Sequence, residues 1–111
     1  MTAAYDRARL VELFGNDPKT IAEVEREFFD TAQEAAREIA ETDDLATIAR
    51  AAHRLKGASG MIGAAPLHQL TEAIERSAKA NDLRSVRQMQ EQLRLEVLRV
   101  AEQAGLDAGE S

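Results

Sequence analysis

The chain has no cysteine among its 111 residues. Disulfides and thiolate chemistry are therefore excluded. Aromatic side chains are scarce, confined to Tyr5, Phe14, Phe28 and Phe29. Only Pro18 and Pro66 interrupt the backbone, which leaves long segments free of helix breakers. No apolar run approaches the length of a membrane span, and the N-terminal MTAAYDRARL lacks a signal-peptide pattern. Acidic and basic residues interleave around a net charge of −6, so there is no basic block to grip nucleic acid. What is present is abundant Ala, Leu, Glu, Arg and Gln, a composition that favours helix. The length suits one domain, residues 1–111, with about 1–4 and 106–111 as frayed ends. These features predict a cytoplasmic protein with no nucleic-acid or membrane partner.

Periodicity predicts an all-α fold. A short helix runs from Tyr5 to Phe14 and stops at Gly15. Asn16 or Asp17 caps a second helix, about Pro18 to Glu41, whose apolar stripe is Ile21, Val24, Phe28, Ala32, Ala35 and Ile39. Thr42 or Asp43 caps a third, reaching about Gly63, with Leu45, Ile48, Ala52, Leu55, Ser59 and Ile62 on one face. Pro66 starts a fourth, carrying Leu67, Leu70, Ile74 and Ser77. After the turn at 80–82, a fifth carries Leu83, Val86, Gln90, Leu93, Val97, Val100 and Ala104 and stops at Gly105. Long amphipathic helices joined by short loops pack as an antiparallel up-and-down four-helix bundle. The short first helix is then an addition that caps one end or one groove. Phe29 and Ala36 on the second helix, and Leu95 and Leu98 on the fifth, offer apolar surface for it.

One stretch, ARAAHRLKGASGMIGAAP at 49–66, is costly for a helix. Gly57 and Gly60 together cost on the order of 1–2 kcal/mol relative to alanine. On a helical wheel His53 points roughly 130° away from the core stripe. Ala46, Ala49, Gly57 and Gly60 lie four or seven residues from it, so the strip around His53 is nearly bare of side chains. Bareness admits close approach by another macromolecule. Arg50 and Lys56 border the strip. A neutral imidazole is a competent nucleophile near pH 7, since histidine's ordinary pKa is about 6.5. A phosphoryl group on it would place negative charge beside Lys56, which could meet it with a charge-assisted hydrogen bond. On the wheel alone, a solvated surface histidine and a reactive one both stand. Arg50 reads equally as a docking cation or a solvated helix residue. Gly63 reads as a helix terminator, and His68 as a solvated residue with no constellation around it.

HRLKGASGMIGA, residues 53–64, resembles the signature of histidine-containing phosphotransfer (HPt) domains. The matching residues are His53, Leu55, Lys56, Gly57 and Gly63, flanked by Ala52 and Ala64. LHQLTEAIE at 67–75 is similar to the leucine-rich helix that follows in that family. The resemblance implies a four-helix bundle acting in a multistep two-component relay. His53 would take a phosphoryl group from a receiver-domain aspartyl phosphate and pass it to another receiver's aspartate. Lys56 would stabilise the phosphate and Gly57 would provide clearance. Ala46, Ala49, Arg50, Gly60 and Ala64 are expected at the partner surface, and Glu75 is the position expected to orient the histidine. The resemblance implies no cofactor of the chain's own, with Mg²⁺ on the partner receiver. Expected partners are response-regulator receiver domains and a hybrid sensor histidine kinase, met by a monomer. The chain would be a phosphohistidine carrier rather than an autonomous enzyme. Ala58-Ser59 replaces a common Ser-Ser, and Met61 a common asparagine. The initial Met and short polar tail fit a free-standing protein. A non-transferring interaction domain, and a domain excised from a hybrid or chemotaxis-type kinase, are the alternatives.

Overall fold

The computed structural model describes residues 3–106. Among the described residues it holds five α-helices and no strand: α1 Arg7–Phe14, α2 Pro18–Glu41, α3 Leu45–Met61, α4 Ala65–Lys79 and α5 Leu83–Ala104. The stripes read from the sequence form the core. Ile39, Ile48, Leu55, Ile74 and Val86 are completely buried. Each such side chain stabilises by roughly 1.5–3 kcal/mol. The four long helices close a ring of contacts, in which α3 packs on α2 and α4 while α5 packs on α2 and α4. Arg87, near the start of α5, donates to the Ile39 and Thr42 carbonyls at the end of α2 at 2.7 and 2.5 Å. It thereby satisfies carbonyls that the helix end leaves without partners.

Several boundaries differ from the periodic reading by a residue or two. Thr42 ends α2, and Asp44 rather than Thr42 or Asp43 precedes α3. The Thr42 hydroxyl accepts from the Asp44 amide at 3.1 Å, so the polar cluster is a turn shared by both helices. α3 stops at Met61, before Gly63. There the Ala64 amide donates to Ser59 O and the Gly63 amide to Gly60 O, a Schellman closure with Gly63 at φ +70°. Asp82 caps α5 by accepting from the Ser85 amide, and Gly105 ends it in the left-handed region. Ser59 sits in the core as its place in the stripe predicts, although its hydroxyl has no partner among the described residues.

The N-terminal segment departs most from expectation. Tyr5 lies outside α1, which begins after the Asp6 cap. Ala4 and Tyr5 are buried, and both amides donate to Gln103 Oε1 on α5. The Tyr5 hydroxyl donates to the buried Glu25 carboxylate on α2, and its ring meets Phe28 edge-on at 6.3 Å. Ala4 therefore does not belong to a frayed end. Neither does Leu106, which packs against the core and donates to Ala101 O. Ala3 is exposed, and tail positions 1, 2 and 107–111 lie outside the described residues. α1 packs on α2, and Asp6 donates to Ile62 O at the end of α3. The segment thus caps an end and not the α2/α5 groove. That groove, of about 650 Å³ over Phe29, Ala36, Leu93, Val97 and Leu98, has no α1 residue in its lining, and Leu95 remains exposed. Tethering by Tyr5, Asp6 and Gln103 fixes where α1 goes, and none of those bonds has a periodic signature.

Candidate functional site

His53 stands near the middle of α3 and faces solvent, its side chain 68% exposed. It sits beyond the edge of the buried face formed by Ile48, Ala51, Ala52, Leu55 and Ser59. Across from it, α4 buries Leu67, Leu70 and Ile74 and also Thr71 and Glu75. The two polar residues fall outside the apolar stripe read from the sequence. The Thr71 hydroxyl donates within its own helix to Leu67 O at 2.8 Å. Glu75 instead reaches toward α3.

Glu75 is the centre of the cluster. It is 5% exposed, and its carboxylate meets three nitrogens. Oε2 lies 3.0 Å from His53 Nδ1 and 3.0 Å from Lys79 Nζ, while Oε1 lies 2.9 Å from Lys56 Nζ. Burial pushes its carboxyl up. The hydrogen bonds and charges of Lys56 and Lys79 outweigh burial and hold it down at about 2. Glu75 is therefore ionised at neutral pH and can only accept. Nδ1 must then carry the proton of a neutral His53, and the Nε2 lone pair is left on the far edge of the ring. Nε2 has no hydrogen-bond partner among the described residues. The site is thus a solvent-facing imidazole whose tautomer is set from behind by a carboxylate.

The expected surface residues divide. An added Cβ at Gly57 would meet nothing within 4 Å, so this glycine opens onto free space. Ala46 and Arg50 are exposed and Ala49 is half-buried. At Gly60 an added Cβ would come within 3.2 Å of the His68 ring. Gly60 is exposed, but its missing side chain also makes room for α4 of the same chain. Ala64 is completely buried, which removes it from any partner surface. The Schellman closure folds the chain inward there, so the helical wheel of α3 does not extend to it. Gly63 has a second reason besides its φ: an added Cβ would fall 2.8 Å from Asp6 Cβ.

Lys79 is the member of the cluster that sequence reading left unassigned. Its signal was the i,i+4 spacing from Glu75, the orientation in which a glutamate and a following lysine meet on a helix. Among the described residues no group of three or more His, Cys, Asp or Glu side chains could hold a metal ion, and no helix is long and apolar enough to cross a membrane.

A family model for the Hpt domain matches residues 20–103, which is well over half of the chain and includes the whole cluster. The chain belongs to the Hpt domain family, whose members serve histidine phosphotransfer in phosphorelay signalling and interact with receiver domains and kinases. No curated protein and no solved structure matches it.

Proposed function

We propose that the chain is a phosphohistidine carrier of a multistep relay, built as an antiparallel up-and-down four-helix bundle, with His53 as the phosphoacceptor. The observation that carries this reading is the Glu75–Nδ1 contact at 3.0 Å behind an exposed ring. It leaves Nε2 neutral, directed outward and next to open space at Gly57.

The chemistry follows from that geometry. The Nε2 lone pair attacks the phosphorus of a receiver's aspartyl phosphate. The N–P bond forms as the P–O bond breaks, and the bonding pair leaves on the aspartate oxygen. The Nδ1 proton stays in place, so the ring acquires imidazolium character while the phosphoryl oxygens keep their charge. Glu75 stabilises that positive ring much as a carboxylate does in a hydrolase triad. Lys56, one turn from His53 on the same helix, is the cation for the phosphoryl oxygens. Transfer to a second receiver reverses these steps. Positioning and electrostatics account for most of phosphoryl transfer, so this small cluster needs only a partner that brings the aspartate, and the Mg²⁺ belongs to that partner. Arg50, Ala46 and Ala49 edge the approach. The reading further assigns a monomer in the cytoplasm, fed by a hybrid sensor histidine kinase.

The test is incubation with a receiver domain carrying labelled phosphate, with His53→Gln as control. Label should appear on the wild-type chain in an acid-labile, base-stable bond and be absent from the variant. Label surviving in His53→Gln, or none in the wild type with every receiver of the source organism, overturns the assignment.

A further inference from the structure

We propose that Lys79 is a positioning residue for phosphotransfer: it keeps Glu75 compensated and so frees Lys56 to move from the carboxylate to the phosphoryl group. This rests on the phosphotransfer reading of His53. Lys56 faces two claims. In the resting chain its ammonium sits 2.9 Å from Glu75 Oε1. Once phosphorus is bonded to Nε2, the phosphoryl oxygens claim the same ammonium. Were Lys56 the sole ammonium on Glu75, its departure would leave a nearly buried carboxylate balanced by the ring alone. Removing one partner from a buried ion pair is strongly disfavoured. The phosphoryl group would then have to compete with Glu75 for its cation.

Lys79 changes that competition. It lies 3.0 Å from Oε2, the oxygen that also faces Nδ1, so it holds the half of the carboxylate that Lys56 does not touch. Its side chain is 67% exposed, against 25% for Lys56. It comes from α4, the same helix as Glu75, and can stay in place without moving with α3. It also stands on the Nδ1 side of the ring, whereas phosphorus bonds at Nε2. The two lysines therefore have different tasks. Lys56 transfers between anions and Lys79 remains.

The experiment is a double-mutant cycle on single-turnover transfer from a receiver domain phosphorylated with acetyl phosphate and Mg²⁺. Lys79→Met should slow labelling of His53 about fivefold, within the range of a solvent-screened pair. Lys79→Arg should restore the rate. In a Lys56→Ala background, Lys79→Met should change the rate by less than about twofold, because the task it supports is gone. Imidazole ¹⁵N shifts should show the Nδ1-protonated ring in unphosphorylated Lys79→Met, separating the effect from loss of the tautomer. A wild-type rate in Lys79→Met, or an equal slowing with and without Lys56, overturns the proposal while leaving the phosphotransfer reading intact. A wild-type chain that takes no label overturns both.

Discussion

Among the described residues two glutamates are buried, and they are treated in opposite ways. Glu25 on α2 is 6% exposed and meets a phenol, the Tyr5 hydroxyl. Glu75 on α4 is 5% exposed and meets two ammonium groups and an imidazole. The first contact joins two apolar surroundings, for Tyr5 is itself buried and stacked edge-on to Phe28. The second joins the interior to solvent through side chains that are exposed at their far ends. Burial, followed by the hydrogen bond and charge of Glu25, pushes the Tyr5 phenol well up, so it stays a donor. A buried carboxylate can therefore serve as a fastener or as a handle. Its partners decide which: a neutral donor fixed in the core, or cations that can exchange ligands.

Substitutions should separate the two uses. The largest effect belongs to Gly57→Phe, at a position where an added Cβ meets nothing within 4 Å. It should slow transfer about 100-fold by displacing the incoming receiver, with a melting temperature no lower than the wild type's. An unchanged rate would show that access is not what Gly57 provides. Next comes the paired change to glutamine. Glu75→Gln keeps an acceptor for Nδ1 but loses the charge facing the ring, and should slow transfer about tenfold. Glu25→Gln keeps an acceptor for the Tyr5 hydroxyl, so rate and stability should both hold. Equal kinetic effects from the two would erase the distinction. Tyr5→Phe should cost about 1–3 kcal/mol of stability with no change in transfer rate. Thermal melting reads it directly, at roughly 4–8 °C for each kcal/mol.

The last effect appears in acid. Glu75 is held at about 2 in the folded chain against its usual 4.5. A lowered folded value means that the unfolded chain binds the proton more readily, so Glu75 stabilises the fold above about 4.5 and loses that contribution as pH falls toward about 2. The difference in melting temperature between wild type and Glu75→Gln should narrow across that window. A constant difference would mean the lysines do not hold the carboxylate.

The legible parts of the fold were those governed by period. Ile21, Phe28, Ala32, Ala35 and Ile39 recur at helical spacing and all are buried. Caps with local chemistry, such as Gly15 and Gly105, were legible for the same reason. Bonds distant in sequence were not. Tyr5 to Glu25 and Gln103 to the N-terminal amides leave no spacing to detect, and the position of α1 depends on them. In the site, His53, Lys56 and Gly57 share one helix and could be placed on one wheel. Glu75 was reached through family resemblance, because no wheel relates α3 to α4. Lys79 was missed although its spacing from Glu75 is local, since a lysine late in a helix reads first as a solvated end.

The contact between Gly63 and Asp6 bears on aim. Think of α3 as a shaft carrying the imidazole as an off-axis pointer. A roll of only ~10° would carry Nε2 sideways by about 1 Å, given a ring some 6 Å from the axis. An error of that size is enough to cost about 100-fold in transfer. Asp6 sits against the Cα of Gly63 and donates to Ile62 O, so the N-terminal segment bears on the end of the shaft as a stop. Asp6, far in sequence from His53, thus contributes to the azimuth of the imidazole.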